Sequence, residues 1–98
     1  MFTIKTTDEF DTWLDSLRDT KAQRRILARL RKLSYGLFGD VKPIGAGVSE
    51  TREHFGPGYR IYFVQRGQSL IIVLAGGDKS SQARDIELAL KLARQLED

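Results

Sequence analysis

Apolar residues recur along this chain with two spacings. Phe10, Trp13, Leu14 and Leu17 fall at i, i+3, i+4 and i+7, which places them on one stripe of a helix. Thr6-Thr7-Asp8-Glu9 precedes that stripe and reads as a capping box, with a threonine oxygen accepting from the amide three residues on and the glutamate reaching back. Thr20-Lys21-Ala22-Gln23 repeats the signature, and Ala22, Ile26, Leu27, Leu30 and Leu33 form a second stripe that Gly36 stops. Two helices joined this closely form a hairpin, and a hairpin cannot cover both of its own stripes, so the rest of the chain must supply a sheet.

Met1 to Lys5 reads as a first strand, and Val48–Phe55, Tyr59–Gln65 and Ser69–Ala75 as three more. The stretch 36–47, GLFGDVKPIGAG, carries four glycines and a proline and reads as a loop. Gly56-Pro57-Gly58-Tyr59 fits a type II turn, proline presetting the first central residue and glycine accepting the positive φ of the second. Beyond Gly76-Gly77-Asp78-Lys79-Ser80-Ser81, a last helix carries Ile86, Ala89, Leu90, Ala93 and Leu96 on one side. The expected order is βααβββα: a single α+β domain over residues 1–98, with an N-terminal helical hairpin on a small, largely antiparallel sheet and a C-terminal helix.

In this pattern Arg60 is conspicuous, a permanent charge inside the apolar run Tyr59 to Phe63. A three-residue loop at 56–58 would set Phe55 against Tyr59, Glu53 against Ile61 and Thr51 against Phe63, a largely apolar side. The opposite side would then bring His54 against Arg60, Arg52 against Tyr62 and Glu50 against Val64. The strand ending at Ala75 would bring Lys79 close to Arg60, and the last helix would begin there with free amides. Such a gathering outlines a phosphate site. It is equally an ordinary surface in which Arg60 pairs with Glu50 or Glu53 and Lys79 is solvated.

Composition narrows the chemistry. The 98 residues include no cysteine and one histidine, so a disulfide framework or thiolate metal site is excluded and a zinc site is not expected. The N-terminus lacks a secretory pattern and the longest apolar run, Leu70 to Ala75, is too short to span a bilayer; a soluble, cytoplasmic protein is expected. The net charge of +3 is unevenly spread. Asp8 to Asp19 holds five acids against Arg18 alone, whereas Thr20 to Ser34 holds Lys21, Arg24, Arg25, Arg29, Arg31 and Lys32 and no acid. That basic helix suits a polyanion, or is a solvated face beside the acidic segment.

Three longer motifs, KPxGxGVSExR (42–52), GPGYRxYF (56–63) and GGDKSSQ (76–82), together with FxxWLxxL and RxxxRLxxL in the helical hairpin, resemble the RelE/ParE superfamily of bacterial toxin–antitoxin toxins, within it the HigB-like addiction module killer branch. The resemblance covers nearly the whole chain. It implies a toxin neutralised by an antitoxin, a helix-turn-helix protein encoded alongside, with operator DNA reached only through their complex. It further implies an endoribonuclease that cuts messenger RNA on the ribosome through the adjacent 2′-hydroxyl, without cofactor, metal or membrane. By position, Arg60, Arg52 and Lys79 match the basic residues that stabilise the reacting phosphate. His54 and Gln82 are further candidates, Tyr62 would stack a base or pack, and Arg24, Arg25 and Arg29 would grip ribosomal RNA. The chain departs from the branch at Thr51-Arg52-Glu53, where a Leu-Arg-Ile type sequence is common, and has no tyrosine near Asp85. Two other functions fit the same pattern: a ParE-like DNA gyrase inhibitor, and a nucleic-acid-binding module without chemistry.

Overall fold

Strand alternation and two separate groups of apolar residues organise the molecule, a computed structural model describing residues 1–96. Its elements are β1 (Thr3–Thr6), α1 (Asp8–Ser16), α2 (Thr20–Ser34), β2 (Asp40–Gly45), β3 (Val48–Glu53), β4 (Tyr59–Arg66), β5 (Leu70–Gly77), a 3₁₀ turn (Lys79–Ser81) and α3 (Gln82–Gln95). The strands form one sheet in the order β1-β5-β4-β3-β2. The β1–β5 pair is parallel and the others are antiparallel. Tyr59, Ile61, Phe63, Ile71 and Val73 share a core with Phe10, Ala22, Ile26 and Leu33 of the hairpin. Val48, Tyr62, Val64 and Leu74 share a second core with Ala89, Leu92 and Ala93 of α3. The sheet is therefore covered on both sides, which is why six successive residues from Tyr59 to Val64 are buried.

Both capping boxes expected at the helical hairpin are replaced by simpler caps. Thr7, not Thr6, caps α1 and accepts from the Phe10 amide at 3.1 Å. Asp19, not Thr20, caps α2, its carboxylate accepting from the Lys21 and Ala22 amides; a carboxylate there also meets the positive end of the helix dipole. At the far end of α2 the Leu37 and Gly36 amides return to the carbonyls of Lys32 and Leu33, the Schellman pattern that Gly36 permits. Leu96, expected on the buried side of α3, is 41% exposed. No helix of the described residues is long and apolar enough to cross a membrane.

The segment expected to be a loop contains a strand. Asp40–Gly45 pairs antiparallel with β3, with a register shift between Pro43 and Gly45. It lies at the sheet edge, where a proline lacking its N–H and a bulge are tolerated. The β3–β4 register also differs from expectation: Glu53 faces Tyr59, Arg52 faces Arg60, Thr51 faces Ile61 and Glu50 faces Tyr62. The connection is thus five residues, 54–58, rather than three. Its hydrogen bond runs from the Gly58 amide to the Phe55 carbonyl, with Gly56 and Gly58 at φ +54° and +81°, so the expected turn is displaced by one residue. The slip in pairing is two residues, a full pleat period, and every side chain within the paired strands keeps its assigned side.

Candidate functional site

At the end of the sheet where β3 and β5 finish and β4 begins, a cleft of about 400 Å³ is lined by Arg52, Glu53, Tyr59, Arg60, Lys79 and the connection 54–58. Arg52 and Arg60 are register partners on β3 and β4, and Arg60 faces Gly77 on β5. Lys79 follows two residues later and its Cβ lies 3.7 Å from where a Gly58 side chain would begin. Two adjacent strands and the 3₁₀ turn after β5 therefore bring three cations to one concavity.

The two arginines differ from expectation in exposure. With α3 covering that side of the sheet, the Arg60 side chain is only 10% exposed and Arg52 32%. Both meet Glu50, which is fully buried. Arg52 Nε donates to Glu50 Oε1 at 3.1 Å and Arg60 NH1 approaches the same oxygen at 3.5 Å, while Gln82 Nε2 donates to Oε2 at 3.1 Å. Burial pushes the Glu50 carboxyl up, but the bonds from Gln82 and Arg52, the adjacent Tyr62 hydroxyl and the Arg60 charge outweigh it and hold the group below the usual glutamate range. The Tyr62 hydroxyl is buried without a hydrogen bond of ordinary geometry. Burial and the carboxylates of Glu50 and Asp85 push it well above the normal phenol range.

Other candidates separate. His54 is not opposite Arg60; it stands in the connection, 71% exposed, with Nε2 2.6 Å from Asp40 Oδ2 of the edge strand. It still lines the cleft. Tyr62 is fully buried beneath α3, so of the two roles expected for it only packing remains. Gln82 is bound to Glu50 and is not among the residues lining the cleft. Of the α2 arginines, Arg29 is engaged with Glu53 at 2.6 Å and Arg25 lies over the Phe55 ring at 4.5 Å. Arg24 is exposed in a separate groove with Leu27, Ala28 and Arg31. At the start of the 3₁₀ turn the Asp78 carboxylate accepts from the Ser80 amide, whereas Ser81, the N-cap residue of α3, forms no side-chain cap bond. The Ser80 bonds, led by that of its side chain, hold Asp78 below the ordinary aspartate range despite partial burial.

Glu50 is the site residue that the pairing argument undervalued. Its signal was present: an acid on the same side as Arg52, Arg60 and Tyr62. The departures at 51 and 53 are also accounted for, since Thr51 Oγ1 donates to the Phe38 carbonyl at 2.7 Å and Glu53 receives Arg29. Both serve attachments of α2 and its following loop.

Comparisons with known proteins agree with this architecture. Residues 12–96 match the family described as phage derived protein Gp49-like (DUF891). An uncharacterised protein of Haemophilus influenzae is 45% identical over 93 residues, covering 95% of this chain and 94% of that one. Among solved structures, the Escherichia coli toxin RelE, a double mutant in the free state, superposes with TM-score 0.62 at 11% identity, covering 93% of this chain and 96% of that one. A chain of the toxin–antitoxin complex RelBE2 from Mycobacterium tuberculosis gives TM-score 0.59 at 16% identity, covering 80% and 98%. The chain belongs to the Gp49-like family and has the fold of RelE, the fold that its motifs implied.

Proposed function

We propose that this protein is the toxin of a type II toxin–antitoxin pair, HigB-like, and an endoribonuclease that stops translation by cutting messenger RNA on the ribosome. The observation that carries the reading is the convergence of Arg52, Arg60 and Lys79 on one cleft. Cleavage through the 2′-hydroxyl requires three things: removal of its proton, stabilisation of a crowded anionic phosphorane, and protonation of the departing 5′ oxygen. Guanidinium groups suit the second task, since their planar forks match phosphate oxygens and they stay charged. Among the described residues Arg52 bonds through Nε alone, which leaves its terminal nitrogens for such oxygens.

His54 and Lys79 are the proton-transfer groups of this reading. A carboxylate only accepts, so the Asp40 contact assigns the proton of a neutral His54 to Nε2 and leaves Nδ1 as the basic atom. Lys79 is exposed and can donate to the leaving oxygen. A correctly placed acid or base contributes roughly 10²- to 10⁴-fold. The ribosome would supply the remaining alignment of nucleophile and phosphate. A neighbouring antitoxin and a cytoplasmic site of action complete the proposal.

Expression of the chain without its partner should halt protein synthesis first and generate new RNA ends. Lys79→Ala, a change at an exposed position, should lower cleavage by about 10²-fold or more without loss of fold. A DNA damage response with arrested replication and intact RNA would instead identify a gyrase inhibitor. Nucleic-acid binding with no growth arrest would identify a non-catalytic module.

A further inference from the structure

We infer that Glu50 is a positioning residue: its buried carboxylate sets the spacing and orientation of Arg52 and Arg60 at the cleft. The inference rests on the reading of that cleft as the phosphodiester site. Glu50 is 0% exposed and is not among the residues lining the cleft, so it acts through others. Arg52 and Arg60 are direct register partners on adjacent strands, and two guanidinium groups so placed repel each other. One oxygen, Glu50 Oε1, receives both, at 3.1 and 3.5 Å. The other oxygen is fixed by Gln82 from the first residue of α3. A shared anion between two cations holds their separation, and using Nε of Arg52 and NH1 of Arg60 leaves other N–H edges of both guanidiniums to face an oxyanion.

The surroundings give the two arginines no second shared carboxylate among the described residues. Tyr62, the register partner of Glu50, is buried with its hydroxyl unpaired, and Arg60 Nε is likewise buried and unpaired. Asp85, the other buried acid among the described residues, is occupied with the Ser81 hydroxyl. Glu50 is therefore the carboxylate to which both arginines are bonded among the described residues.

Glu50→Gln in the full chain is the primary test, since an amide of the same size keeps one acceptor and removes the charge. With ribosome-bound messenger RNA as substrate, kcat should fall by about 10²-fold, the penalty of a misplaced catalytic group, while KM holds or decreases because the cleft gains net positive charge. The Nε–Hε signals of Arg52 and Arg60, read by ¹⁵N NMR, should move and exchange faster with water. A wild-type kcat, or a fall in kcat with both signals unmoved, overturns the inference. If Glu50→Gln fails to fold, Glu50→Asp retains the charge but withdraws the carboxylate by one methylene. It should fold, lower kcat with KM held, and shift the same two signals; unchanged kcat in that variant also overturns it. Inorganic phosphate separates this inference from the nuclease reading. It should shift the Arg52 and Arg60 signals together in the wild type and weakly or separately in Glu50→Gln, whether or not RNA is cut. An identical response in both proteins, or none in the wild type, overturns the positioning role.

Discussion

Gly76 and Gly77 occupy successive positions of β5 and point to opposite sides of the sheet, and each has no room for a methyl group. A Cβ on Gly76 would lie 2.4 Å from the Trp13 ring of α1, and one on Gly77 would lie 1.7 Å from Asp85 Oδ2 of α3. The register irregularity beside Tyr62 and Phe63 sets this parity, and the pair lets a helix approach each side next to the cleft. Gly76→Ala should cost ~1–3 kcal/mol from overpacking, read by denaturant unfolding, with a changed emission from Trp13, the sole tryptophan. Trp13→Leu in the same chain should recover part of the loss; full additivity would show that the ring is not the obstacle. The buried carboxyl and phenol predict pH limits of opposite sign. Glu50 lies below its ordinary range, so the stability it contributes is complete above about 4.5 and declines as pH falls from there through its folded value. Tyr62 is raised above its ordinary value of 10.0, so its contribution is complete below that pH and declines as pH rises, because the unfolded phenol ionises while the native one does not. Tyr62→Phe should flatten the alkaline limb of a stability–pH curve; an unchanged limb would assign it to another group. Side-chain parity along β3 and β4 was legible from the sequence, since a two-residue slip preserves it. The depth of Arg60 was not, because burial depends on α3, an element remote in sequence.

Among the elements, the helices were legible and the edge strand was not. A 3.6-residue stripe survives an error of one residue at a cap, as at Thr7 and Asp19. The strand β2 has no stripe to read: five of its six residues, all but Ile44, are exposed, and Pro43 and Gly45 interrupt any pattern. Its order comes from pairing with β3, a long-range cause that local pattern does not carry. The basic composition of α2 likewise overstates its free charge. Arg29 joins α2 to the end of β3 through Glu53, with both side chains largely covered at 13% and 16% exposure, whereas Arg24 is exposed. Arg29→Ala should therefore destabilise the fold by ~1.5–3 kcal/mol, the range for hydrogen bonds involving charged groups. Arg24→Ala should fall within about 0.5 kcal/mol of the wild type. Equal effects in thermal or denaturant melts would show that the Arg29–Glu53 pair contributes nothing beyond an ordinary surface contact. The contrast bears on function too, since a variant lacking Arg29 confounds lost binding with lost structure.

For the whole molecule, the sheet separates two cores and positive charge collects in two places. Lys21, Arg24, Arg31 and Lys32 are exposed along α2, while Arg52, Arg60 and Lys79 gather at the cleft. If the protein works on the ribosome as proposed, these two positive regions have separate tasks, the first for phosphate-backbone affinity and the second for the reacting phosphate. A Lys21/Arg24/Arg31→Ala variant tests the first without disturbing the Arg29–Glu53 attachment. It should weaken ribosome binding at low salt and reduce the slope of log K against log salt by about 0.7–0.9 for each phosphate no longer neutralised, with kcat at saturation preserved. Because the substitution also brings the formal net charge from +3 to zero, a charge-matched variant at the exposed residues Lys5, Lys91 and Arg94 supplies the comparison. Local pairing of α2 with phosphates requires that only the α2 variant show the reduced slope. Equal reductions in both variants would mean that net charge alone draws the protein to RNA, and an unchanged slope in the α2 variant would remove α2 from the binding surface altogether.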